Sequence, residues 1–250
     1  MHSIQGISLS QQDTQALGHS HYLSAGGVRV QRSTVALPYG SAIAQLRDRL
    51  DKERGVLLSS SFEFPGRYNR WDVGFVNPPI AITARGRTME IEALNARGRI
   101  LLPELARALV AESSILRAIT QHFFSDKDIH LGLYGAFAYD LTFQFEAVQL
   151  RQERDPNTRD LVLYLPDEII KVDHHAGVAR CHSYEFVCRR SDQADSETPG
   201  ETTGGLRRRG NSNPFLRGAL TAAHCDHGSG EYAAIVRKAK EYFRRGDTAP

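Results

Sequence analysis

The residues best suited to binding chemistry lie in one block in the first third of the chain. Three serines at 59–61 end a short apolar run, and a turn carrying Arg67, Arg70 and the only tryptophan, Trp71, follows. Hydroxyl and backbone groups can accept hydrogen bonds from an ammonium, and a guanidinium can bind a carboxylate through two parallel hydrogen bonds. If folding brings these groups to one pocket, the block predicts a site for a small zwitterion; otherwise it is an ordinary strand and turn.

Other reactive side chains fit less specific interpretations. The run His-Cys-Asp-His at 224–227 contains metal-ligating atoms, but adjacent residues rarely converge on one ion. Cys181 and Cys188 are predicted to be buried thiols, because a spacing of seven on a strand points them to opposite faces. Three arginines at 207–209 favour a solvated run or a processing site. The motifs therefore predict no catalytic residue and no metal ligand.

The composition argues against several classes of protein. The chain has 250 residues, and its 31 lysines and arginines against 29 acidic residues leave a net charge of +2, too balanced for a dedicated nucleic-acid binder. No apolar run approaches the roughly 20 residues of a membrane span, and the N-terminus lacks the features of a signal peptide. Three cysteines are too few for a disulfide framework and fit a reducing compartment. We therefore expect a cytoplasmic protein that binds neither nucleic acid nor membrane.

The hydrophobic pattern predicts an α+β fold of antiparallel sheets with packed helices. Residues 1–26 are polar and indicate a tail or an edge segment, so we expect order to begin at Gly27. A helix is predicted over 41–54 with Gly55 as its terminating residue, followed by a meander of strands at 56–62, 80–84, 89–93 and 99–102. Pro103 then begins one long helix or two shorter ones, interrupted near 112–114.

The second half of the chain is predicted to contain four strands, a flexible linker and one helix. Strands are predicted at 131–139, 161–165, 168–172 and 178–188, and the glycines of the first indicate close approach by another element. Residues 189–230 are rich in small, polar and charged residues and predict a flexible linker. Residues 231–250 then contain one amphipathic helix with Gly246 after it as the terminating residue, and its apolar stripe from Tyr232 to Phe243 has no downstream partner.

Four blocks of sequence make a specific resemblance. They are LLSSSFEFPGRYNRWDVGFVNPPIAI, GLYGAFAYDLTFQFE, DLVLYLPDEIIKVD and GEYAAIVRKAKEYFRRGD, which begin at Leu57, Gly132, Asp160 and Gly230. In this order they resemble the N-terminal region of anthranilate synthase component I, and most closely the bacterial type fused to its glutaminase. The resemblance runs from about Gly27 to Asp247, and residues 27–188 are expected to be the N-terminal domain of that component.

The resemblance implies a function for the whole enzyme. It would convert chorismate and glutamine-derived ammonia to anthranilate and pyruvate with Mg²⁺, and L-tryptophan would inhibit it from a site between the N-terminal region and the catalytic domain. In this family a serine that ends a Leu-Leu-x-Ser motif contributes to the tryptophan site, and here that residue is Ser60. A basic residue slightly further on corresponds to Arg70. These two residues are therefore the expected L-tryptophan-binding residues.

The resemblance does not extend into the family's chorismate-binding domain. The family continues past Arg-Arg-Gly-Asp into a chorismate-binding domain, whereas this chain reads Thr248-Ala249-Pro250. We expect a chain that is truncated before that domain, catalytically inert alone and a weak binder of L-tryptophan at most. Its expected partners are the missing chorismate-binding domain and the glutaminase domain or subunit. Two alternatives stay open: a non-catalytic binding module that pairs with a separate catalytic chain, and a fragment of an aminodeoxychorismate- or phenazine-type enzyme.

Overall fold

The computed structural model describes residues 16–60, 70–111, 114–146, 155, 157–188, 200–208 and 227–247. Expectations for residues 1–15, for most of 189–230 and for Cys225 fall outside these residues. The chain divides into two units, Met1–Phe215 and Leu216–Pro250, and the first contains both sheets.

The first unit contains eleven strands and three α-helices among its described residues. In chain order they are β1 (Ala16–Leu23), β2 (Arg29–Leu37), α1 (Ala42–Leu50), β3 (Gly55–Ser59), β4 (Trp71–Val76), β5 (Ile80–Arg85), β6 (Thr88–Ala93), α2 (Ala96–Ala111), α3 (Ile115–Phe123), β7 (Tyr134–Phe137), β8 (Leu161–Leu165), β9 (Glu168–Asp173), β10 (Val178–Cys188) and β11 (Glu201–Thr202). A 3-10 helix at Tyr139–Gln144 follows β7.

All strand pairs are antiparallel and form two sheets. The large sheet has the order β1-β2-β10-β9-β4-β3, with β11 paired to the end of β10, and the small sheet has the order β6-β5-β8-β7. The main core joins strands of both sheets with α2 and α3, and it includes Ile82, Leu105, Phe123 and Phe186. On the opposite face of the large sheet, α1 packs through Ala42 against Val172 and Ala179. The α+β class predicted from the pattern is confirmed.

The connection from β6 into the helices differs from the prediction. Residues 95–98 were expected to turn into a strand at 99–102, but residues 96–102 form the first turns of α2. The Asn95 side chain accepts a hydrogen bond from the Gly98 backbone N–H at 3.1 Å, which satisfies one of the free N–H groups of the helix start. Gly98 has no room for a Cβ because the Pro79 carbonyl lies against it. Pro103 thus lies inside α2, and α2 and α3 are two helices.

Three further segments depart from the pattern. Order was expected to begin at Gly27, but β1 already lies in the segment 1–26 as an edge strand whose side chains are almost all exposed. α1 ends at Leu50, and Gly55 begins β3 instead of ending a helix. A glycine is needed at this position because the Phe75 backbone carbonyl leaves no space for a side chain. β4 was not predicted at all. An edge strand and a short strand after a turn carry little periodic signal, which explains these differences.

Part of the predicted linker belongs to the first unit and is packed against its strands. β11 pairs with β10, and the Thr203 hydroxyl accepts a hydrogen bond from the Phe186 backbone N–H at 2.9 Å. The Arg207 carbonyl accepts from Arg97, and the Arg208 guanidinium donates to the Tyr184 carbonyl. The prediction of a continuous linker over 189–230 is therefore wrong for residues 200–208, because backbone groups make most of these contacts and composition does not report them.

The second unit contains one described helix, α4 (Glu231–Arg245). Gly246 adopts the left-handed conformation with φ of 77°, and its N–H reaches the Phe243 carbonyl, as the sequence pattern of a terminating glycine predicts. None of the described helices combines the length and apolar character needed to cross a bilayer.

Candidate functional site

The structure brings Ser60 and Arg70 together at one end of the large sheet. Ser60 directly follows β3, whose last residue pairs with Asp72 in β4, and Arg70 directly precedes β4. The Ser60 hydroxyl accepts hydrogen bonds from the backbone N–H groups of Arg70 and Trp71, both at 3.3 Å, and donates to the Trp71 carbonyl at 3.0 Å. This hydroxyl therefore fixes the backbone from which the Arg70 side chain extends.

Two cations contact the indole of Trp71. The Arg70 guanidinium carbon lies 4.8 Å from the ring centroid, and the Lys171 ammonium lies 4.0 Å from it. Burial lowers the pKa of Lys171, Asp173 opposes this, and the positive charges of Arg180 and Arg70 add to the lowering. A half-buried ammonium against an aromatic face gains about 0.5–2 kcal/mol from the ring.

Lys171 was not identified from the sequence. Its position on β9 places it opposite Val73 on β4 and Arg180 on β10, so all three residues share one face of the large sheet. The alternation along β9 was visible, but the neighbouring strands were not known. Since β4 was not predicted as a strand, no sequence pattern could put Lys171 beside Trp71.

A chain of polar groups lies beside Arg70. The His174 backbone N–H donates to the Arg70 carbonyl at 2.9 Å, and the imidazole bridges the Asp72 carboxylate and the Tyr39 hydroxyl, each at 2.9 Å. The Asp72 side chain is 3% exposed, and its second oxygen has no hydrogen-bond partner. The His174 side chain is only 20% exposed and holds both of these partners.

The positive charges of the arrangement are suited to binding a small anion. Arg70 and Lys171 place positive charge against the Trp71 ring, and Arg180 lies opposite Lys171 on the neighbouring strand, which favours a carboxylate next to an apolar group. Arg67 and Ser61, which were also considered from the sequence, lie outside the described residues. Within the described ranges no three His, Cys, Asp or Glu side chains are arranged to hold a metal ion, so these residues do not fit the Mg²⁺ that the resemblance implies.

The remaining candidates have structural roles. Cys181 and Cys188 are buried, and burial raises the pKa of Cys188 to about 12, so this thiol is a poor nucleophile. Arg207 and Arg208 contribute backbone carbonyls to hydrogen bonds with Arg97 and Asn77. The backbone of the described part of the arginine run is therefore anchored to the fold, while the Arg207 side chain is exposed, as a solvated run predicts.

Comparison with known proteins gives consistent matches. The family model described as chorismate binding enzyme matches residues 71–249. The chain is 41% identical over 260 aligned positions to a protein named anthranilate synthase from Azospirillum brasilense, an alignment that covers 90% of this chain and 34% of that protein. It is 25% identical over 229 positions to anthranilate synthase component 1 from Serratia marcescens, covering 77% of this chain and 44% of that protein.

These matches bear on the expected boundaries. The chain spans about a third of the length of one relative and less than half of the other. The family match begins at residue 71, inside the region expected to be a separate N-terminal domain. It therefore does not support the expectation that the chain is truncated before a chorismate-binding domain.

Proposed function

Because the chain belongs to the chorismate binding enzyme family, we propose that it is the tryptophan-sensing part of an anthranilate synthase. The observation that carries this proposal is the juxtaposition of Ser60 and Arg70, whose hydroxyl oxygen and backbone nitrogen are 3.3 Å apart. The identity to the Azospirillum protein supports the enzyme class. The whole enzyme would make anthranilate and pyruvate from chorismate and ammonia supplied by a glutaminase domain or subunit.

The two residues have different tasks in this proposal. Arg70 is exposed and supplies a guanidinium that can pair with the carboxylate of an amino acid. The Ser60 hydroxyl is already bonded to the backbone of residues 70 and 71, so it acts as a positioning residue that holds Arg70 at the start of β4. Lys171 adds positive charge on the same sheet face as Trp71 and assists in attracting the carboxylate.

Titration calorimetry with L-tryptophan tests the site. We expect the parent chain to release heat and Arg70→Gln to bind roughly 10–100-fold more weakly, since a charge-assisted hydrogen bond contributes about 1.5–3 kcal/mol. Ser60→Ala should weaken binding by about tenfold through loss of positioning. Arg85→Gln removes an exposed arginine at the end of β5 and serves as the matched control. Absence of heat with the parent chain, or equal losses in Arg70→Gln and Arg85→Gln, would overturn the proposal.

We further propose that this chain alone does not turn over chorismate. It supplies only 34% and 44% of the length of the two relatives. Anthranilate fluorescence, followed after mixing the purified chain with chorismate, ammonium and Mg²⁺, should stay at the level of the protein-free control. Sustained formation of anthranilate would show that the chain itself carries the activity. A different product would favour the aminodeoxychorismate- or phenazine-type alternative.

A second candidate is a binding module that pairs with a separate catalytic chain. The helix α4 favours it, because Tyr232, Ile235, Tyr242 and Phe243 are 39–67% exposed on a helix that ends in two arginines. Mixing this chain with the remaining part of the Azospirillum enzyme should then restore anthranilate formation, and Ile235→Asp should prevent it. No restoration by the parent chain would contradict this candidate. For either candidate we propose a cytoplasmic location.

A further inference from the structure

A short segment between α3 and β7 is fastened to the large sheet by side chains. Residues 124–131, here called the clasp segment, contain Asp128, whose carboxylate accepts hydrogen bonds from Arg32 on β2 at 2.9 Å and from the Tyr184 hydroxyl on β10 at 3.3 Å. Two residues further along, the His130 imidazole stacks on that of His182, with ring centroids 4.2 Å apart and planes 14° apart. The clasp segment thus contacts two adjacent strands through one carboxylate and one ring.

The two imidazoles lie in surroundings that disfavour positive charge. His182 is 4% exposed, and its Nδ1 is 3.0 Å from the Thr34 hydroxyl. The charged groups that act on the pair are Arg32 on β2, Lys171 on β9, Arg180 on β10 and Asp128 on the clasp segment itself. Three cations and one carboxylate surround the rings, so a proton on either ring meets net repulsion.

Burial and the neighbouring charges lower the pKa of both imidazoles. Burial, the neighbouring His130 and Arg32 lower the pKa of His182 to about 4, against an opposing effect of Asp128. Burial and the charge of Lys171 also lower the pKa of His130. A group whose pKa is lower in the closed state than in the open state stabilises closure at neutral pH. That stabilisation is lost as the pH falls from the ordinary histidine value of about 6.5 towards 4.

We propose that the stacked His130 and His182 form a pH-sensitive clasp, which holds the clasp segment on the large sheet when both rings are neutral and releases it on acidification. Charging both rings would place two like charges face to face at 4.2 Å. The second Asp128 oxygen is buried without a hydrogen-bond partner, so the closed state already contains an unfavourable polar burial and is poised for local opening. This inference does not depend on tryptophan binding.

Hydrogen exchange measured by mass spectrometry tests the clasp in the intact chain. From pH 7.5 to pH 5.0, after correction for the intrinsic exchange rate, the opening equilibrium of peptides covering 124–131 should rise roughly 30-fold, the linkage expected for one histidine with a pKa of about 4 when closed and 6.5 when open. Peptides from β5 and β8 should change little.

Two variants and one control make the result decisive. His182→Gln should remove most of the pH dependence of the opening equilibrium. His130→Gln replaces a half-buried ring and should also reduce that pH dependence, so it provides a separate test if His182→Gln folds poorly. His19→Gln, on the exposed edge strand β1, should behave as the parent. Equal pH dependence in His130→Gln and the parent, a uniform rise over the whole chain, or an NMR titration that places the His182 pKa near 6.5 would each overturn the inference.

Discussion

One buried guanidinium joins three distant parts of the first unit. Arg97, at the start of α2, donates to the Asp167 carboxylate through Nε at 2.5 Å and Nη2 at 3.3 Å, and both side chains are 2% exposed. The same guanidinium donates to the Asn77 and Arg207 carbonyls, each at 2.6 Å. Asp167 connects β8 to β9, so the pair links the helix layer, the turn between the two sheets and the segment 200–208.

Removal of only one charge of the Arg97–Asp167 pair should destabilise the folded chain. Asp167→Leu leaves a buried guanidinium without its counter-ion, and we expect it to lower the free energy of unfolding by about 3–5 kcal/mol. The double variant Arg97→Met with Asp167→Leu removes both charges and should recover a large part of that loss, because neither ion is left unpaired. Arg49→Gln, which breaks a partly exposed pair with Glu53, is the matched control and should cost about 1 kcal/mol or less.

Urea denaturation followed by the fluorescence of Trp71, the only tryptophan, measures these differences. Limited proteolysis provides a second readout, since Asp167→Leu should expose residues 200–208 to cleavage while the control should not. The ion pair does not hold these parts together if the free energy of unfolding of Asp167→Leu lies within about 1 kcal/mol of the parent value. The same conclusion follows if the double variant is as unstable as the single one.

Three other perturbations have defined outcomes. Gly135→Ala should lower the free energy of unfolding by about 1–3 kcal/mol, since an added Cβ meets the Val162 carbonyl of the paired strand; an unchanged melting temperature would contradict this close approach. Cys188 should resist iodoacetamide at pH 8 in the native chain and react in urea, because burial raises its pKa to about 12, and mass spectrometry would reveal any native labelling. Asn95→Ala should cost about 1–2 kcal/mol in urea denaturation, because it removes the helix cap and the hydrogen bonds that the Asn95 amide donates to Asn77 and Pro78. A smaller cost than for Ser41→Ala, whose side chain makes no cap bond, would refute the assignment.

Where hydrophobic spacing is strong, the pattern predicted the structure well. The strand at 178–188 has the predicted bounds, and its inward face carries His182, Tyr184, Phe186 and Cys188, as period two requires. The terminating glycine of α4 was also predicted. These features depend on neighbours within a few residues, so they can be derived from local order alone. Ser60 and Arg70 were identified through a resemblance, and the structure places them side by side.

Other features exist only because distant segments meet. β1 and β11 are held by pairing of backbone groups, which every residue except proline offers, so their composition does not distinguish them from a tail or a linker. Lys171, His174 and the clasp histidines acquire their roles from partners 52 to 135 positions away in the chain, such as Tyr39 for His174. The amino-acid order determined the class of fold and, through the resemblance, pointed to Ser60 and Arg70. The packing of strands against one another decided which charges are buried, which are paired and which meet at one site, because desolvation and Coulomb energies depend on distance in space and not along the chain.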